Sequence, residues 1–207
     1  MSLELRQGEY GNYWGNTFDS SNSLNTSQMQ VNATYLYTAL TNKGWTLNAI
    51  AGLLGNMQAE SSINPGRWQS DDVGNLNGGY SLVQWTPASK YIDWLPSGAD
   101  ASAMDNAINR ILWEVENNQQ WIATSQYNYS FKEFTKSTDT PYNLAMAFLA
   151  NYERPKEPNQ PIRGEYANNW YEYLGGITPP TPAPAVTKKG FNFIFFKKAR
   201  QKRNKVV

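Results

Sequence analysis

The chain has 207 residues, of which 40% are hydrophobic, 14% aromatic and 17% charged, and its formal net charge is +1. This length predicts one domain with at most an appendage, large enough to bury a sizeable core. The chain contains no cysteine and no histidine, which excludes thiol hydrolases, histidine-ligated zinc enzymes and Ser-His-Asp triads. A hydrolase of this composition is left largely with carboxylate chemistry, whose default substrate is a glycosidic bond. We therefore expect no metal and no cofactor.

The first 26 residues are rich in Gly, Asn, Ser and Thr, with scattered aromatic residues and no clean period. They predict an extended lead-in that packs on the domain. The first ten residues lack the basic and apolar regions of a signal peptide, so none is expected. No apolar run approaches membrane-spanning length. A first helix is predicted over residues 27–42, ended by Lys43 and Gly44.

The second predicted helix carries the main candidate for chemistry. After a Thr46 N-cap its apolar residues recur at i, i+3, i+4, i+7 and i+10; they are Leu47, Ile50, Ala51, Leu54 and Met57. Residues 63–66, Ile-Asn-Pro-Gly, end the helix because proline cannot continue it. Glu60 therefore lies on the last turn, where the negative end of the helix dipole disfavours the ionised form and suits a general acid. The alternative is a solvated carboxylate near a helix end.

The residues after this helix predict a short irregular hairpin. A turn-rich segment at 70–79 ends in Gly78 and Gly79, and residues 80–87 follow as a second arm. The end of the Glu60 helix is expected to face this hairpin across a groove.

Three further helices are predicted in the second half of the chain. The central helix of the domain is predicted over 104–115, with Glu114 and Glu116 on its solvated face. Its apolar stripe consists of Met104, Ile108, Ile111, Leu112 and Val115. A helix from 141 to about 151 starts with threonine at the N-cap and proline at the first helical position. A last helix is predicted over 162–174 and closes a domain that comprises residues 1–176.

The C-terminal residues differ in composition from the rest. Residues 177–187 predict a stiff proline-rich linker. Residues 188–207 hold eight of the 18 basic residues and no acid, which leaves 10 basic and 17 acidic residues, a net charge of −7, in residues 1–187. We interpret 188–207 as a basic, aromatic tail that is either a disordered, solvated terminus or an attachment to an anionic surface, such as a wall polymer, a membrane face or another virion protein.

Three ordered blocks carry a resemblance to a known family. They are AESSINP at 59–65, GGYSLVQW at 78–85 and AFLANYERP at 147–155. The chain resembles the phage tail lysozyme family of the lysozyme-like superfamily over roughly residues 25–175, and more distantly lytic transglycosylases and goose-type lysozymes. The resemblance implies an α+β, mainly α fold, in which a lysozyme-like helical domain has a small β-hairpin region flanking the active-site groove.

The resemblance also implies roles for single residues. Glu60 corresponds to the catalytic acid, and Gln84 to a residue that lines the sugar groove. The substrate-binding candidates within the blocks are Ser61, Tyr80, Gln84, Trp85, Asn151 and Tyr152. Ser81 departs from the family pattern, which has glycine there, so the shape of the groove floor is expected to differ.

A second catalytic acid is sought in Asp71 and Asp72, the acids between Glu60 and the end of the hairpin. Both are candidates for positioning water or stabilising positive charge, and both also suit a turn that uses their side chains for local backbone bonds. Several members of the superfamily work with the single helix-end glutamate.

These features predict a peptidoglycan hydrolase that cleaves the glycan strand as a muramidase or lytic transglycosylase. It would act from a virion tail or outside the cell at the host wall, with glycan strands and virion proteins as partners and no specific nucleic acid. The alternative is a non-enzymatic tail protein, structural or glycan-binding, that retains the lysozyme fold. A wall peptidase is disfavoured because the chain has neither histidine nor cysteine.

Overall fold

The computed structural model describes residues 4–10 and 13–177. It shows the expected α+β, mainly α fold with a small β region. The regular elements, in chain order, are β1 (Glu4–Tyr10), β2 (Tyr13–Asp19), α1 (Thr26–Thr41), α2 (Leu47–Ser61), α3 (Ser89–Ile92), α4 (Met104–Glu116), α5 (Phe131–Phe134), α6 (Pro141–Phe148) and α7 (Ile162–Gly175). Nearly all of the predicted linker and the whole basic tail lie outside the described residues. In the part of the chain that the structure describes, no helix is both long and apolar enough to cross a membrane.

The N-terminal segment forms a β-hairpin, where the sequence had predicted only an extended lead-in. Strands β1 and β2 pair antiparallel, and Gly8 approaches α1 so closely that a Cβ atom there would lie 2.7 Å from the Tyr35 hydroxyl. The buried Asn32 side chain bonds both backbone groups of Phe18 and the carbonyl of Ile63. One buried amide thus joins the hairpin, α1 and the turn that follows α2.

The ends of the first two helices agree with the local sequence signals. Asn25 caps α1 in a capping box with Gln28, and the Thr46 side chain caps α2. Helix α2 ends where Ser62 and Ile63 both take left-handed backbone conformations, with φ values of 57° and 52°.

Helix α2 is the central helix of the domain, so the prediction that assigned this place to α4 is wrong. Every residue from 49 to 57 is buried, and α2 packs against α1, α6 and α7. Gly55 lies so close to α7 that a Cβ atom would be 2.3 Å from the carbonyl oxygen of Arg163. Helix α4 has a clear apolar stripe because its other face meets solvent, whereas a helix buried all round has no polar face to produce a period.

The β region beside the groove is built from single bridges. Tyr80 pairs with both Trp68 and Trp85, and the chain reverses through a tight turn at residues 81–84. Ser81 and Gln84 have φ values of 72° and 48°. The left-handed conformation at Ser81 is one that glycine adopts without strain, and here serine takes it.

An aromatic cluster supports the other side of the groove. Its members stack or pack at tilted angles; they are Trp121, Phe131, Phe134, Phe148 and Tyr152. Helix α6 runs directly into a π-helical turn, Leu149–Glu153, which ends at the left-handed Arg154. This turn delivers Tyr152 and Glu153 to the groove.

Candidate active site

A cavity of about 760 Å³ lies between the end of α2, the β region and the π-helical turn. Two carboxyl groups, Glu60 and Glu153, line it. Four cationic side chains also line it; they are Arg67, Lys90, Arg154 and Lys156. An acidic domain thus presents a cavity whose charged residues are mainly positive.

Glu60 lies on the last turn of α2, as predicted, and its side chain is 22% exposed. Its Oε1 accepts a hydrogen bond of 2.6 Å from Nη2 of Arg163 on the first turn of α7. The Arg163 side chain is only 7% exposed, and its other donors bond Asn56 Oδ1 at 3.2 Å and Gln160 Oε1 at 2.7 Å. The guanidinium is therefore fixed in place. The bond from Arg163 therefore also fixes the orientation of the Glu60 carboxyl group at the cavity.

Glu153, unlike Glu60, has a carboxyl oxygen that is shielded from solvent and that no hydrogen-bond donor among the described residues reaches; this atom is Oε1. Burial raises the pKa of Glu153 well above its usual range, and the negative charge of Glu60 raises it further, while Arg163 lowers it. The surroundings of Glu153 thus favour its protonated form.

Glu114 is buried behind the cavity wall, so the prediction that placed it on a solvated face is wrong. It is 1% exposed and accepts hydrogen bonds from Tyr152 (2.6 Å), Arg110 Nε (2.9 Å) and Trp85 Nε1 (3.0 Å). The Arg110 guanidinium also lies over the Trp113 ring, 4.7 Å from its centroid. Burial raises the pKa of Glu114, although these bonds oppose the shift. The network fixes two rings, Trp85 and Tyr152, that line the cavity.

Gln84 also lines the cavity. Its Nε2 donates to the backbone carbonyls of Arg67, at 3.1 Å, and Ser81, at 2.9 Å. The side chain therefore closes the tight turn as well as facing the groove.

Three residues that were expected to bind substrate lie behind the wall instead. The Ser61 hydroxyl is buried and donates to the carbonyl of Leu82, which ties the end of α2 to the β region. Tyr80 is buried with its ring against Trp68, at 4.3 Å between centroids. Asn151 is buried and holds the loop before α5. None of the three is among the cavity-lining residues.

The two aspartates proposed as second acids are exposed turn residues. Asp71 pairs with Arg67, and Asp72 Oδ2 accepts a hydrogen bond of 2.9 Å from Asn75. Neither belongs to the cavity lining. Their geometry fits the turn role, and a catalytic role for them stays a prediction.

The sequence analysis did not single out Glu153 or Arg163. Glu153 lies inside the third block, directly after Tyr152, and this position was a usable signal. Arg163 follows Glu60 by 103 residues, and nothing in its local pattern points to the site.

Comparison with known proteins agrees with the geometry. A family model described as phage tail lysozyme matches residues 31–174, a range that includes all the cavity residues named above. Morphogenesis protein 1 of Bacillus phage B103 is 54% identical over 161 residues, which cover 77% of this chain and 44% of the relative. The chain thus spans less than half the length of that curated relative.

Proposed function

Because the chain belongs to the phage tail lysozyme family, we propose that it cleaves the glycan strand of bacterial peptidoglycan with Glu60 as general acid. The observation that carries the proposal is the position of Glu60 at the cavity, on the last turn of the central helix and held by the buried Arg163. A rigid carboxyl group at the edge of a large groove is what proton donation to a glycosidic oxygen requires.

The lining of the cavity suits a peptidoglycan strand. Trp85 and Tyr152, which are only 4% and 1% exposed, bond each other and give the cavity a rigid wall against which a sugar strand can lie. The cationic side chains around the two glutamates complement the carboxylates of the peptides that the muramyl sugars carry. We propose that the protein acts at the host cell wall as part of a virion, where it contacts glycan strands and other virion proteins.

The bond is broken by proton transfer to the leaving oxygen. Glu60 protonates the glycosidic oxygen, the bond to the anomeric carbon breaks, and its electron pair stays on that oxygen. Either water or a hydroxyl group of the same sugar then adds to the anomeric carbon. Addition of water gives a reducing end, which is the product of a muramidase. Addition of the sugar hydroxyl gives an anhydro end, which is the product of a lytic transglycosylase.

A second candidate function is a structural or glycan-binding tail protein that retains the fold. The name of the phage B103 relative, which refers to morphogenesis, favours it. Such a protein would not cleave the glycan strand, so substitution of Glu60 would not change the rate at which peptidoglycan is cleared.

Glu60→Gln separates the two candidates, because it keeps the size of the side chain and removes the proton. We expect clearing of purified peptidoglycan to fall by about two orders of magnitude or more. Glu172→Gln, at an exposed position on α7, removes the same charge and should clear at the wild-type rate. Chromatography of the released fragments identifies reducing or anhydro-muramyl ends. Wild-type clearing by a folded Glu60→Gln protein, or no fragments from the wild type, would contradict the proposal.

A further inference from the structure

A second cavity adjoins the active-site cavity. Its volume is about 580 Å³, within the range of about 300–1,000 Å³ that is usual for small-molecule sites. Arg154 and Pro155 line both cavities, so the two cavities meet at this pair of residues. We call the second one the side cavity. Nothing in the proposed cleavage of the glycan strand uses it.

The lining of the side cavity is mainly apolar and aromatic. Met146 on α6 and Leu149 and Ala150 on the π-helical turn provide apolar groups, to which Tyr127 and Tyr142 add aromatic residues. A lining of this kind suits a ligand with small apolar groups and few polar ones.

Two contacts hold the walls of the side cavity in place before any ligand binds. The buried Asn151 donates to the backbone carbonyl of Tyr127 at 2.8 Å and accepts a hydrogen bond of 2.8 Å from the Thr124 hydroxyl. Tyr142 packs directly on α7, because a Cβ atom at Gly164 would lie 2.3 Å from Cδ2 of its ring. A site that is already formed loses little entropy when it binds a ligand.

The two amide side chains in the lining already bond neighbouring residues. Gln126 Nε2 donates to the Tyr127 hydroxyl at 3.2 Å, and Asn143 Nδ2 donates to the Asp139 carboxylate at 3.2 Å. The hydroxyl groups of a sugar would therefore find few partners in the side cavity, and burial of a hydroxyl without a partner is costly. This disfavours a continuation of the glycan strand into it.

Among the residues that the structure describes, Arg154 is the only charged one that lines the side cavity. Its Nη1 donates to the backbone carbonyls of Gln120 and Asn151, both at 2.5 Å, whereas its Nε and Nη2 donate to no acceptor in the described part of the chain. The guanidinium is thus held in one orientation and keeps donors on two nitrogens. A carboxylate is the acceptor that suits such a pair of donors best.

We propose that the side cavity binds the stem peptide of peptidoglycan, so that Arg154 pairs with a carboxylate of this peptide and the apolar lining receives its alanine methyl groups. This inference rests on the proposed function, since the peptide is attached to the muramyl sugar of the strand that is cleaved. A muramyl sugar in the active-site cavity places its peptide beside Arg154 and Pro155, where the side cavity begins. The protein therefore prefers glycan strands that carry peptides to bare strands.

Kinetics on two forms of one substrate test this preference. Soluble glycan strands that carry stem peptides are compared with the same strands after an amidase has removed the peptides. The KM of the full-length wild type should be lower for the peptide-bearing strands by about tenfold or more, because hydrogen bonds between charged groups are among the stronger contacts. An equal KM for both forms would overturn the proposal.

Substitutions of Met146, which is partly buried, test the position of the peptide. Met146→Glu places a carboxylate in the side cavity and should remove most of the preference, because it repels the carboxylates of the peptide. Met146→Lys introduces an unbranched side chain with the opposite charge and should keep most of it. Ile122→Glu adds the same negative charge at a position that is 61% exposed and lines neither cavity, and it should keep the wild-type preference. An equal loss in Met146→Glu and Met146→Lys would contradict the pairing of charges.

Nuclear magnetic resonance gives a readout that does not depend on cleavage. The full-length protein is labelled at its methionine methyl groups, and Met146→Leu identifies the Met146 signal. N-acetylmuramyl-L-alanyl-D-glutamate should shift this signal, whereas N-acetylmuramic acid and chitotetraose should not. No shift with the peptide, or an equal shift with either sugar probe, would overturn the proposal.

The two measurements separate this inference from the proposed function. Cleavage of both forms of the strand with the same KM overturns the peptide site alone. A shift of the Met146 signal in a protein that cleaves neither form supports the peptide site and refutes the proposed function.

Discussion

Removal of the Arg163 guanidinium tests the arrangement around Glu60 most directly. Arg163→Met keeps most of the aliphatic length of the side chain and deletes the donors to Glu60, Asn56 and Gln160. Loss of one partner of a fully buried ion pair costs about 3–5 kcal/mol. The Glu60 side chain is 22% exposed on the cavity, so water can solvate it. We therefore expect a loss of about 2–3 kcal/mol in the free energy of unfolding.

This loss is measurable by thermal unfolding followed by circular dichroism. For a domain of this size 1 kcal/mol shifts Tm by about 2–4 °C, so Arg163→Met should lower Tm by roughly 4–12 °C. Arg163→Lys keeps the positive charge, but its donors lie on one nitrogen and cannot reach the three acceptors that the guanidinium bonds through three separate nitrogens. Its Tm should therefore lie between those of the wild type and Arg163→Met.

Activity gives an independent readout of the same change. Without the guanidinium the Glu60 carboxyl group is no longer held in one orientation at the cavity, so clearing of peptidoglycan by Arg163→Met should fall by about tenfold or more. An Arg163→Met protein with wild-type Tm and wild-type clearing would refute the reasoning, since the pair would then matter neither for stability nor for cleavage.

The remaining predictions concern the turn aspartates, the helix crossing and the tail. Asp71→Asn and Asp72→Asn should each clear peptidoglycan at no less than about half of the wild-type rate, because both residues are exposed and lie in a turn. A tenfold loss of the clearing rate in either variant would instead support a catalytic role for that aspartate. Gly55→Ala places a Cβ atom 2.3 Å from a carbonyl oxygen of α7 and should cost about 1–3 kcal/mol by denaturant unfolding, whereas Gly176→Ala, whose nearest contact is 3.6 Å, should be nearly neutral. Truncation after Ile177, which packs on the core, should leave the cleavage of soluble glycan fragments intact. The truncated protein should bind cell walls less strongly than the full chain, and its binding should depend less on salt, because contacts between exposed charges are screened at about 0.1–0.15 M ionic strength. Equal binding of the two proteins across a salt series would contradict a role of the tail in localisation.

The elements that the sequence predicted well are those whose ends depend on local chemistry. Thr46 and Thr140 cap their helices through bonds to residues three positions away, and such signals need no knowledge of the rest of the fold. The helix-end position of Glu60 followed in the same way from the proline after it. The N-terminal hairpin was missed because Asn32, which bonds the second strand, lies 14 positions beyond its partner Phe18.

The charged residues of the site were harder to predict, because their environments arise from distant parts of the chain. Glu114 lies off the apolar stripe of α4, yet Trp85 and Tyr152, 29 and 38 residues away, bury it and bond it. A 3.6-residue period in the sequence predicts which face of a helix is apolar. It does not predict whether another element of the fold covers a polar residue at the edge of that face. Ser61, by contrast, was placed correctly at the end of α2, but the bond from its hydroxyl to the β region depends on tertiary contacts.

The same tertiary packing determines where the acid meets its partner. Gly55 has no side chain, and α7 therefore approaches α2 until the backbone of Arg163 touches it. Asn56, the next residue on α2, bonds the carbonyl of Ala145 on α6 and accepts a hydrogen bond from the Arg163 guanidinium. The guanidinium that reaches Glu60 is thus held by the contact between three helices. A change that separates α2 from α7 should therefore slow cleavage even when no residue of the cavity is replaced.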